Sequence, residues 1–96
     1  MSKQVYFFKM HGCGPCTKIL PLINDIGQHY AGPKVPNNKK VRTFVIDIKD
    51  NPGMAAIYSV DATPTTIFLY NNEVISRVEG GNQQEIENSY YKLFSL

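Results

Sequence analysis

Apolar and polar positions along the chain fall into two periods. Val5 to Phe8 is a short apolar run, rich in aromatic and β-branched side chains and bounded by polar residues. It predicts a buried strand. From Cys16 the spacing changes. Cys16, Ile19, Leu20, Ile23, Ile26 and Tyr30 recur at steps of three and four, the stripe of an amphipathic helix, with Asn24, Asp25, Gln28 and His29 on its other side. Pro15 falls in the first helical turn, where its missing N–H costs little, whereas Pro21 lies inside the pattern and predicts a kink. Ala31 to Lys40 holds Gly32, two prolines, two asparagines and three lysines, and predicts an exposed loop.

A second strand is predicted over Val41 to Ile48. Asn51-Pro52-Gly53 then reads as a helix start, with Asn51 as N-cap and Pro52 at the first helical position, for a short helix ending near Ser59. Thr65–Tyr70 and Val74–Val78 predict two strands joined by a tight Asn71-Asn72 turn, a hairpin. Gly80-Gly81 breaks the chain. Asn82, with Glu85 three residues on, predicts a capped helix whose stripe is Ile86, Tyr90, Leu93 and Phe94. The order is β-α-β-α-β-β-α. Strands separated by helices favour parallel pairing and the hairpin adds an antiparallel pair. The expected fold class is therefore α/β: a mixed four-stranded sheet flanked by three helices, in a single domain over 1–96.

Composition narrows the function. With 96 residues there is space for one modest core and none for separate cofactor and substrate domains. The 43% hydrophobic and 19% charged content is ordinary for a globular chain, and a formal net charge of +2 is too mild to argue for nucleic acid. No apolar run approaches a membrane span, and the N-terminal apolar stretch, broken by Lys9 and His11, lacks the features of a signal peptide. The expectation is a cytoplasmic monomer that binds neither nucleic acid nor membrane.

The two cysteines change the picture. Cys13 and Cys16 stand as Cys-Gly-Pro-Cys between the first strand and the first helix. A helix N-terminus has free N–H groups and the positive end of the macrodipole, so a thiol there has a lowered pKa and is nucleophilic as the thiolate. Cys16, one turn deeper, is placed to attack a mixed disulfide on Cys13. Cys13 is then the attacking thiol and Cys16 the resolving one, with Gly14 closing the turn and Pro15 stiffening it. Two other readings compete. A zinc or iron–sulfur site would need further ligands, and only His11 and His29 are available, the latter more than four turns from Cys13. A purely structural disulfide over so short a loop would constrain the unfolded chain little.

Cys13-Gly14-Pro15-Cys16 followed by Lys18, Ile19 and Pro21 resembles the active-site helix of thioredoxins. The resemblance continues from Asp50-Asn51-Pro52-Gly53 through Tyr58 to Thr63-Pro64-Thr65, and through Asn72-Glu73-Val74 to Gly80. It implies a thiol–disulfide oxidoreductase, an electron carrier that reduces protein disulfides and needs no cofactor beyond its own redox-active disulfide. It implies thioredoxin reductase or glutathione as electron donor. It also implies a cis peptide bond before Pro64, facing the cysteines, with the Thr63 backbone pairing with substrate and Gly80 on the same docking surface.

There are departures. Thioredoxins usually begin with an extra strand and helix, so this chain is closer to the minimal, glutaredoxin-like form, and a glutathione-coupled reductase or a partner-binding module are the alternatives. The family's Trp before the first cysteine is Gly12 here. Its buried acid aligns with Phe7 and the Lys partner of that acid with Val45, which implies a drier core. The 31–40 loop is longer than in the family; Lys34, Lys39, Lys40 and Arg42 form either a basic patch or a solvated loop.

Overall fold

The computed structural model describes residues 2–96. The elements are β1 (Lys3–Lys9), α1 (Gly14–Ala31), β2 (Arg42–Asp47), α2 (Pro52–Ile57), β3 (Thr65–Tyr70), β4 (Glu73–Glu79) and α3 (Gln83–Phe94), with a single 3-10 turn at Asn37–Lys39. They follow the expected order. The sheet runs β2-β1-β3-β4. β1 is parallel to β2, with Phe7 opposite Val45, and antiparallel to β3, with Phe8 opposite Thr65. β3 pairs antiparallel with β4, interrupted by an irregularity between Phe68 and Leu69 that lets Val74 follow Ser76 as partner.

Strand alternation sorts the apolar side chains into two cores. Val5, Phe7, Phe68 and Val78 face α1 and α3 and pack with Ile19, Ile23, Ile86, Tyr90 and Leu93. Phe8, Ile46, Ile67 and Leu69 face the other way and pack with Ala55 and Val60 beside α2. The central strand β3 is buried from Thr65 through Leu69, as a strand covered on both faces must be. α1 approaches β2 closely: a Cβ on Gly27 would stand 3.1 Å from Thr43 Oγ1.

Two expectations need correcting. β2 is an edge paired only with β1, and it leaves Phe44 42% and Val45 41% exposed. The drier core inferred from Phe7 and Val45 is thus half right: Phe7 is fully buried, while Val45 opens to solvent. Asn51 stands at the N-cap of α2 without capping it, because its side-chain Nδ2 donates to the Asp47 carbonyl instead (3.1 Å). α1 continues as one helix through Pro21, which lies on its exposed side. The cap on α3 is as expected, with Asn82 Oδ1 accepting from the Glu85 N–H at 3.0 Å.

Candidate active site

The site is assembled where β1 ends, α1 begins and the loop before β3 comes alongside. Gly12 carries the turn out of β1 at φ +80°, a left-handed conformation that side chains rarely tolerate. The Cys13 N–H donates to the Met10 carbonyl (3.1 Å), and Cys13 becomes the N-cap of α1 with Pro15 in the first turn. Its Sγ accepts from the Cys16 N–H at 3.1 Å. The Cys13 carbonyl accepts from both the N–H and the hydroxyl of Thr17, at 3.1 and 3.2 Å. A sulfur that receives a helix N-terminal N–H sits where negative charge is stabilised.

Cys13 and Cys16 are joined as a disulfide, with their Cα atoms 5.2 Å apart. The two sulfurs differ in access: Cys13 is part-exposed, whereas Cys16 is 2% exposed under the first turn of the helix. A bulky disulfide can therefore reach Cys13 and not Cys16. Thr63 and Pro64 stand beside this pair. The Thr63–Pro64 peptide is cis, and the Thr63 carbonyl oxygen lies 3.7 Å from Cys13 Sγ. Gly80 closes the rim, its N–H donating to the Pro64 carbonyl at 2.8 Å. A Cβ at Gly80 would meet nothing within 4 Å, so within the chain itself glycine is required by its φ of +90°. Gly12, Gly14, Pro15, Thr63, Pro64 and Gly80 thus all gather around the two cysteines.

Other candidates lie elsewhere. His11 is exposed near the turn, while His29 lies towards the far end of α1 against the ring of Tyr30. Among the described residues no group of three His, Cys, Asp or Glu could hold a metal ion. The loop carrying Lys34 and Lys39 follows the C-terminal end of α1, and Lys40 Nζ turns back to donate to the Ala31 carbonyl (3.4 Å). An 18-residue helix is about 27 Å long, so these lysines do not border the cysteines. The pattern did not announce one pair that the fold assembles near the site: Lys9 and Asp47, each the last residue of its strand, with Nζ and Oδ2 3.6 Å apart. The alternation that places Phe7 inward also places Lys9, so the signal was present but concerned an interstrand neighbour.

A four-stranded mixed sheet with a Cys-x-x-Cys disulfide at a helix N-terminus, opposed by a cis proline, defines the thioredoxin-fold class. The sequence model of the Thioredoxin family matches residues 3–92, and the chain belongs to that family. It is 33% identical over 82 residues to thioredoxin H5 of Oryza sativa subsp. japonica, covering 84% of this chain and 54% of that protein. It is 30% identical over 82 residues to a Staphylococcus aureus thioredoxin, covering 85% and 72%. Among solved structures, Fasciola hepatica thioredoxin superposes with a TM-score of 0.82 at 25% identity, over 95% of this chain and 80% of that one. Thioredoxin NaTrxh of Nicotiana alata gives 0.82 at 27%, over 95% and 72%. The chain spans 54% to 66% of the length of three plant H-type thioredoxins that it matches.

Proposed function

We propose that this chain is a dithiol–disulfide oxidoreductase that reduces disulfides in protein substrates. The observation that carries this reading is the asymmetry of the pair: Cys13, part-exposed, caps a helix N-terminus, and Cys16 is buried one turn below it. In the reduced protein the Cys13 thiolate attacks one sulfur of the substrate disulfide. A Cys13–substrate disulfide forms, and the other substrate sulfur leaves as a thiolate that takes up a proton. Cys16 then loses its proton and attacks Cys13 Sγ. The Cys13–Cys16 disulfide forms and the second substrate thiol departs. Two electrons and two protons pass to the substrate, and a reductase or glutathione returns them to the protein. Thr63 and Gly80 form the rim against which the extended substrate backbone lies.

Turnover of insulin disulfides by the dithiol form tests the reading. Cys13→Ser abolishes reduction, whereas Cys16→Ser traps a mixed disulfide on Cys13 visible by mass spectrometry. Alkylation of Cys16 before Cys13 at neutral pH would overturn the assignment. Recycling by NADPH with thioredoxin reductase is expected. Recycling by glutathione alone would place the chain with the glutaredoxin-like reductases, and an inert disulfide would leave a partner-binding module.

A further inference from the structure

The sheet end beneath the dithiol carries an ion pair that the reaction above does not use. Lys9 and Asp47 are register partners at the ends of β1 and β2, and both side chains are part-buried. Lys9 follows Val5 and Phe7 at alternate positions, and those two residues pack with Ile19 and Ile23 of α1. Lys9 therefore lies on the face that α1 covers, and Asp47 joins it there.

α1 crosses that face diagonally. Its C-terminal half meets β2 at Thr43, through Gly27, and its N-terminus meets the start of β3, where Cys13 Sγ lies 3.7 Å from the Thr63 carbonyl oxygen. Because Phe8 opposes Thr65, Lys9 is level with Pro64, the residue next to that carbonyl. The active-site turn also starts here: the Cys13 N–H is held by the carbonyl of Met10, the residue after Lys9. The Ile48 N–H donates to the Lys9 carbonyl at 3.0 Å and ties the ends of the two strands together.

We propose that Lys9 and Asp47 are a positioning pair for the active-site thiolate. The Lys9 ammonium favours the ionised form of Cys13 in the reduced protein, while Asp47 anchors that ammonium and offsets part of its charge. The proposal rests on the dithiol reading. The backbone N–H of Lys49, with help from Lys9, holds the Asp47 carboxyl below its ordinary value, so it is anionic wherever thiols titrate. Besides the buried Cys16 thiol, the titratable groups at this end of the elements are His11, Lys18, Lys49, Asp50, Asp61 and Glu79, all exposed. Solvent and salt screen them, whereas Lys9 and Asp47 act from a part-buried position.

The pair predicts two shifts of opposite sign, which a merely structural contact would not produce. The measurement is the pH dependence of iodoacetamide alkylation of Cys13 in the reduced protein, together with the disulfide potential. Lys9→Met moves the alkylation midpoint up by about half a pH unit or more and makes the potential more negative, because the thiolate loses a favourable charge. Asp47→Asn frees the ammonium, moves the midpoint down and makes the potential less negative. Lys9→Arg, which keeps the charge, stays near the parent. Thermal unfolding of each variant confirms that it is folded. No shift in either variant, or shifts in the same direction, would sink the proposal. Insulin reduction by the parent is read in parallel, so failure of the oxidoreductase reading is seen separately from failure of the pair.

Discussion

Phe7 shows what one residue decides at this site. It is fully buried between the sheet and α1, and directly opposite it in register stands Val45, 41% exposed on the edge strand. Phe7→Asp removes a large apolar side chain and buries a carboxyl without a cation, so it is expected to cost a few kcal/mol of stability in denaturant titration. Val45→Lys added to it recovers part of that loss, since the two positions are partners across β1 and β2. The recovery is partial because an ammonium at position 45 can also turn to water. A double-mutant cycle gives the coupling, and a value of zero would show that the two side chains do not meet.

Among the elements, α3 is held by groups that touch it from elsewhere. The buried Tyr90 hydroxyl lies 2.7 Å from Thr43 Oγ1, and its ring stacks on Tyr30. Burial pushes the Tyr90 phenol up to about 12 from 10.0, against the opposing hydrogen bond to Thr43. An acid whose pKa is raised by folding is protonated in the native state while the unfolded chain ionises. Its contribution is therefore complete below pH 10 and is lost as the pH rises towards 12. Burial also raises Tyr6 and Tyr30, which adds to the same trend, whereas Lys3, lowered by burial and by Lys39, opposes it. Urea midpoints are expected to fall between pH 10 and 12, and Tyr90→Phe flattens that slope. At the start of the helix, Asn82→Ala removes the bond to Glu85 N–H and is expected to cost about 1 kcal/mol. At its end, Lys3 Nζ donates to the Phe94 carbonyl, which the last turn of the helix leaves unpaired, and to the main-chain oxygen of Leu96 beyond it, both at 2.7 Å.

Across the whole molecule, β1 and β3 are interior strands, while β2 and β4 are edges with a strand on one side only. Phe44→Lys is therefore expected to change stability by about 1 kcal/mol or less, the usual range for an exposed edge position. Phe8→Ala, on a buried strand, is expected to cost about 3–5 kcal/mol. Equal losses would place β2 in the interior. For the redox couple, the expected potential lies between about −200 and −270 mV, the interval from glutaredoxins to thioredoxin. Equilibration against glutathione measures it, and a value near −120 mV would mark an oxidant rather than a reductant.

The order of elements, the helix stripe from Cys16 to Tyr30, the Asn82 cap and the Cys13–Cys16 pair were all legible in the chain. Each depends on periodicity or on neighbours a few residues apart. The cluster of Thr63, Pro64 and Gly80 with the cysteines was legible only through resemblance to thioredoxins, because no local pattern relates residues fifty positions apart. The N-cap position of Asn51 was legible but its side-chain bond was not, because a side chain there can equally bond a preceding carbonyl, and only the turn after Asp47 decides which. The exposure of Phe44 and Val45 could not be read from their alternation. An edge strand and an interior strand can carry the same apolar residues, and the number of neighbouring strands is a property of the assembled sheet. The same holds for Lys9 and Asp47: alternation gives the face each residue occupies, but only the register of β1 on β2 makes them partners, and only the diagonal path of α1 sets the dithiol over their end of the sheet.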